Sequence, residues 1–173
     1  MDLSKLTPND AAVTLRGLER RYRGLFAGLG DDEAPDDVGH RQAADGWSAI
    51  EHVVAAAWAI AAAERALATV LTAERPTLSP DDGDPTDRPK PGAPTGTVHE
   101  RIAELGLETT ALADRIDHVP AAGWAREGVI SADHGRTVSA LDIVRSAVRA
   151  GIDHLRAAER VLDEVRQEPI EPQ

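Results

Sequence analysis

Apolar residues recur at intervals of three and four along four stretches of this chain, the spacing of a single buried helical face. The first stretch carries Ala11, Leu15, Leu18, Tyr22, Leu25 and Phe26. Thr7-Pro8-Asn9-Asp10 precedes it and can cap a helix, with Pro8 at the tolerated first position. Gly28 and Gly30 end it. Ser48-Ala49-Ile50-Glu51 has the spacing of a capping box, so a second helix starts beside Trp47 and runs to about Glu74, where Arg75-Pro76 stops it. Thr97-Val98-His99-Glu100 is another such box. It opens a third helix through Ile102, Leu105, Leu112 and Ile116, ending before Pro120. Ser139-Ala140-Leu141-Asp142 opens a fourth, through Ile143, Val144, Val148, Leu155, Val161 and Leu162, which Pro169 closes.

The connectors differ in kind. Residues 76–96, with Pro80-Asp81-Asp82-Gly83-Asp84-Pro85 and Pro89-Lys90-Pro91-Gly92, have no periodicity and read as a solvated crossover between helices two and three. A connection of that length can cross a bundle instead of joining antiparallel neighbours. The loop Asp31–Gly46 is acidic and reads as flexible, as does the tail 167–173. Residues 119–137 carry Trp124, Val129 and Ile130, apolar anchors that predict packing on the bundle. No internal repeat is present. The pattern predicts one all-α domain over residues 1–173, a four-helix bundle with a long middle crossover.

Composition sharpens this. Alanine dominates an apolar fraction of 42%, and aromatics make up only 3% of the 173 residues. Such a core suits close-packed helices better than a sheet. The net charge of −11 argues against nucleic acid or an anionic membrane as a partner, because both select basic patches. With no cysteine, disulfides, a protein thiolate and Cys-ligated zinc are excluded. Met1-Asp2-Leu3-Ser4-Lys5 lacks the apolar region of a signal peptide, and no uninterrupted apolar run reaches the ~18 residues of a membrane span. A cytoplasmic protein is expected.

Candidate chemistry centres on DGWSAIEHVVAAAWAI, residues 45–60. On the second helix His52, Ala55, Ala56, Ala59 and Ala63 share one side. On the fourth, Ala147, Ala150, Gly151, His154 and Ala158 do the same. Two small-residue faces thus carry one histidine each. They either let the helices approach closely or floor a cavity between them. Asp153 precedes His154, but neighbours on a helix point about 100° apart and do not pair. His40, His99, His118 and His134 fall in loops or near helix ends and read as surface residues. There is no HExxH, no phosphate-binding glycine loop and no nucleophile elbow.

Trp47-Ser48-x-x-Glu51-His52 resembles the entry to the second helix in the DinB-like superfamily, and His134-Gly135-Arg136-Thr137 leading to Leu141-x-x-x-Arg145 resembles its approach to the fourth. Gly151-Ile152-Asp153-His154-Leu155-Arg156-x-Ala158-Glu159-Arg160 is similar to its actinobacterial branch, as is Trp124 after a proline at the end of the third helix. The likeness covers nearly the whole chain. It implies up-down-down-up connectivity and, often, a homodimer. Members include mycothiol- and bacillithiol-dependent transferases and a mycothiol-dependent maleylpyruvate isomerase. Active members hold a divalent metal on three side chains: a histidine eight positions after the tryptophan, and a His or Glu and a His four apart on the fourth helix. Here the first position is Ala55. The other two fall on Ala150 and His154 or, with a one-residue shift, on Arg149 and Asp153. Either way the usual site is dismantled, since a catalytic zinc takes three protein ligands. A rearranged set from His52, His154 and Asp153 is the alternative.

Three functions follow. The leading one is a metal-free protein binding or transforming a small molecule between helices two and four. In it His52 and His154 are hydrogen-bond or acid–base groups, and Arg149 is an anion clamp beside Trp47, Ala55, Ala59, Ala150 and Asp153. Arg149 could instead pair with Asp153 on the surface. The second is a zinc- or nickel-dependent S-transferase or isomerase using a low-molecular-weight thiol. The third is a non-enzymatic dimeric interaction module.

Overall fold

The computed structural model describes residues 3–29, 34–79, 94–131 and 135–167 of the chain. Four long helices form the bundle: α1 Pro8–Ala27, α3 Ala49–Thr72, α4 Val98–Asp117 and α5 Ala140–Gln167. Each starts where the polar signal places it. The side chains of Thr7, Ser48 and Thr97 accept from the backbone N–H three residues on, and the acid at that position, Asp10, Glu51 or Glu100, accepts in return from the cap. Ser139 and Asp142 make the same reciprocal bonds at α5, at 3.1 and 3.2 Å. Such boxes satisfy amides that have no partner inside the helix.

Cross-helix bonds fix the directions. Ile60 of α3 lies beside Gly151 of α5 and His52 meets His154, so α3 and α5 oppose, and Arg115 of α4 pairs with Glu64 of α3. Arg16 of α1 reaches Asp114 and Asp117 near the end of α4, while Phe26 at the end of α1 lies close to Val98 at its start, so α1 and α4 oppose. The Tyr22 hydroxyl donates to the Gly151 carbonyl at 3.0 Å, and the Arg145 guanidinium donates to the Leu6 carbonyl, so α1 and α5 run alike. The connectivity is up-down-down-up, as the resemblance implies. Of the crossover, residues 80–93 lie outside the described residues, as do His134 and all of the tail after residue 167.

Tyr22, Leu15, Leu18, Ile50, Ile60, Leu67, Leu105, Leu112 and Val144 are among the fully buried side chains. Each stabilises the fold by about 1.5–3 kcal/mol relative to exposure. By length and composition α3 is apolar enough to cross a membrane, but 67% of that window is buried inside the bundle. Its apolarity therefore serves the core. Gly151 shows how closely the helices approach: a Cβ there would lie 2.6 Å from Leu18 Cδ1.

Two elements depart from the sequence reading. The acidic loop contains a one-and-a-half-turn helix, α2 Pro35–His40, with Val38 buried. Its Asp36 accepts from the Val98 amide at 2.7 Å, so the acidic segment caps α4. Six residues are too few to display a helical period. The segment after α4 packs on the bundle, but as a 3-10 turn, Ala121–Ala125, followed by a small sheet. There β2 Glu127–Ile130 pairs antiparallel with β3 Arg136–Ser139 and parallel with β1 Thr77–Leu78. Ile130 is buried and Trp124 packs on the core. The sheet closes the bundle end formed by the last turn of α3, whose Val70 and Ala73 carbonyls accept from Arg126.

Candidate functional site

His52 enters the interior because Ser48 fixes the start of α3. With Ser48 as cap, residue 52 lies in the first full turn and faces α5. His154 lies midway along α5 and faces back. The two imidazoles meet directly, Nδ1 to Nδ1 at 3.1 Å, with ring centroids 5.4 Å apart. One Nδ1 must carry the proton and donate while the other accepts, so the rings occupy complementary tautomers. Trp47 covers the pair. It stacks on His52 at 4.6 Å with an interplanar angle of 10°, and its ring lies 6.3 Å from His154.

Burial sets the charge state. His52 is 7% exposed. Desolvation, reinforced by the neighbouring His154 and by Arg160, lowers its pKa from 6.5 to about 4, against the opposing pull of Asp45 and Glu51. Desolvation also lowers the pKa of the half-buried His154, with Asp153 opposing. Both rings are therefore neutral at pH 7. A neutral pair in complementary tautomers offers one Nε2 acceptor and one Nε2–H donor. Taking a proton at the first, shifting the shared Nδ1 proton and releasing one at the second would move a proton without creating a lasting charge.

A tight loop delivers Trp47. The Ala43 amide donates to the Trp47 carbonyl and the Gly46 amide to the Ala43 carbonyl, both at 2.8 Å. Gly46 takes a φ of 80°, which a side chain would resist. Asp45 Oδ1 accepts from the Trp47 amide at 2.9 Å. At the tip the Ala44 amide donates to Glu164 Oε1 of α5 at 2.6 Å. Sequence reasoning missed Asp45, Glu164 and Arg160. The Asp45-Gly46 pair is a turn signal that could have found the loop, but nothing local marks Glu164.

The other expected site residues divide by helix face. Ala55, Ala59 and Ala150 are 7%, 2% and 1% exposed. The alanine wall is thus shut off from solvent. On α5 it is Ala150 and His154 that point inward. Arg149 and Asp153 lie exposed on the other flank, away from the imidazole pair, and Asp153 sits 3.7 Å from Arg156, not paired with Arg149. The structure does not bring Arg149 to the histidines as a clamp, nor Asp153 as a third ligand, because each lies more than a quarter turn of helix from His154. Among the described residues no group of three or more His, Asp or Glu side chains is placed to hold a metal ion. Two imidazoles fall short of the three protein ligands of a catalytic zinc. His40, His99 and His118 are exposed; the first and last donate to the Gly96 and Asp114 carbonyls.

No protein-family model matches the chain, and no curated protein matches it in sequence. Among solved structures it is similar to YfiT from Bacillus subtilis, described as a probable metal-dependent hydrolase with an unusual four-helix bundle topology. The match has a TM-score of 0.66 and 14% sequence identity, over 90% of this chain and 87% of that one. At that identity the likeness is one of fold: this chain has the four-helix bundle architecture of YfiT.

Proposed function

We propose that this chain is a DinB-like protein that binds or transforms a small molecule at the His52–His154 pair without a resident metal. The observation that carries the reading is the 3.1 Å contact between the His52 and His154 imidazoles beneath Trp47. A buried polar pair is a place where a ligand can trade hydrogen bonds. The pair suits a ligand that gives a proton at one atom and takes one at another, as in an isomerisation or a hydrolysis. Ala55 and Ala150, at the positions where the resemblance implies ligands, leave His154 as the one retained donor. On the same reading the protein acts in the cytoplasm as a homodimer, with no nucleic-acid or membrane partner.

One observation favours a metal-dependent thiol transferase or isomerase instead. A 3.1 Å Nδ1 separation is short enough for both rings to bind one divalent ion. Metal analysis of protein purified without a histidine tag separates the two readings. We expect no stoichiometric zinc or nickel. Thermal-shift screening with small carboxylic acids and low-molecular-weight thiols should then yield a ligand that raises Tm in the wild type but not in His52→Ala or His154→Ala. Stoichiometric metal that disappears in His154→Ala would sink the metal-free reading.

A further inference from the structure

We propose that the cavity at the sheet-covered end of the bundle is a second binding site, for a zwitterion carrying both a carboxylate and an ammonium group, as a free α-amino acid does. It stands apart from the imidazole pair: along α3, about 30 Å separate His52 from Ala73.

The cavity measures about 420 Å³ and opens to solvent between two segments that meet beyond α3, residues 73–75 and 125–127. Small-molecule sites span roughly 300–1,000 Å³. Each wall is anchored. On the first, the Ala73 amide donates to the Thr69 carbonyl at 3.0 Å, and the Pro76 carbonyl accepts from the Val129 amide at 2.9 Å. On the second, the Arg126 guanidinium donates to the Val70 and Ala73 carbonyls at 2.8 and 2.7 Å. The Arg126 carbonyl in turn accepts from the Ala140 amide at 2.9 Å. Between the anchors of the first wall, Arg75 takes a φ of 44°, the one positive value at a non-glycine among the described residues. Side chains disfavour that region, and it persists where the surrounding structure imposes it, often at ligand clamps.

The charges select the ligand. Arg75 and Arg126 bring two cations to the cavity, Glu74 and Glu127 two carboxylates. Arg126 uses two N–H groups on α3 carbonyls, and a guanidinium has more to give. The side chains of Glu74, Arg75 and Glu127 make no ion pair or hydrogen bond among the described residues. A simple anion would be drawn by the arginines and repelled by the carboxylates, and a simple cation the reverse. A ligand with both charges close together satisfies both halves at once. The planar fork of arginine matches its carboxylate, and a glutamate accepts from its ammonium.

The test uses the whole protein, isotope-labelled for amide NMR at about pH 7.5, with each common L-amino acid as probe up to about 20 mM. At least one should saturably shift the amide signals of Glu74, Arg75, Arg126 and Glu127. Its N-acetyl derivative lacks the ammonium and its carboxamide derivative lacks the carboxylate. Each should bind at least roughly tenfold more weakly. Arg75→Gln and Glu127→Gln should each weaken the free amino acid roughly three- to tenfold. Both side chains are exposed and unbonded within the protein, so these variants keep the fold. No saturable shift with any amino acid overturns the proposal. So does a derivative that binds as well as its parent, because the site would then read a single charge. Shifts that both substitutions leave unchanged overturn it too. The readout lies at the opposite end of α3 from His52, so this result and the ligand screen at the imidazole pair are separate.

Discussion

Acid should destabilise this protein through one ring in particular. The folded chain holds His52 neutral, with a pKa lowered from 6.5 to about 4 chiefly by burial. Between those values the unfolded chain binds more protons at this position than the folded one. Stability is therefore fully present above 6.5 and drains away as pH falls towards 4. Integrating that difference from pH 7.5 down to 4.5 gives on the order of 2–3 kcal/mol for this ring alone. Water reaching the pair past half-buried His154 screens part of it, so about 2 kcal/mol is expected. The perturbation is His52→Gln, which removes the titration and keeps a polar group beside His154. The assay is urea denaturation of both chains at several pH values between 7.5 and 4.5. The stability advantage of the wild type over the variant should shrink by about 2 kcal/mol across that range. A constant difference would show that the ring does not lose its charge on folding. A difference that grows in favour of the wild type in acid would mean that Asp45 holds it charged, and would refute the neutral-pair chemistry altogether.

Nitrogen NMR of the imidazoles at pH 7.5 should show one of residues 52 and 154 as the Nδ1–H tautomer and the other as Nε2–H; two Nε2–H rings would rule out the direct bond. Gly151→Ala should lower unfolding free energy by ~1–3 kcal/mol in urea, because the added methyl meets Leu18 Cδ1 at 2.6 Å. If stability rises instead, as helix propensity alone would have it, the close approach of α1 and α5 is wrong. Tyr22→Phe should cost about 1 kcal/mol by the same assay, since it removes the buried hydroxyl bond to the α5 backbone. The double variant Ala55→His, Ala150→His should bind zinc together with His154, measured by elemental analysis. A folded variant that takes up no metal would show that these alanines do not occupy the ligand positions implied by the resemblance.

Legibility in the sequence followed the range of the interaction. The four capping boxes are written within three residues each, so Thr7, Ser48, Thr97 and Ser139 could be read before any coordinates. The inward faces of α3 and α5 follow from helical spacing, which is why His52 and His154 stood out among six histidines. Where the signal was shorter than its period it failed, as at α2, whose Asp36 turned out to cap α4. The hairpin after α4 showed its apolar anchors but not its pairing, because a strand's partner is chosen by distant residues.

By itself, then, the sequence determined which segments become the four long helices, where each begins and which side of each is buried, since those depend on local hydrogen bonds and on the periodicity of apolar residues. Tertiary structure alone decided that the two imidazoles touch, that Arg149 and Asp153 face away from them, and that Glu164 reaches across to the loop bearing Trp47. Those outcomes hang on how far helices slide and rotate against one another, and a slide of one residue is invisible in a spacing pattern yet is enough to join or separate two rings.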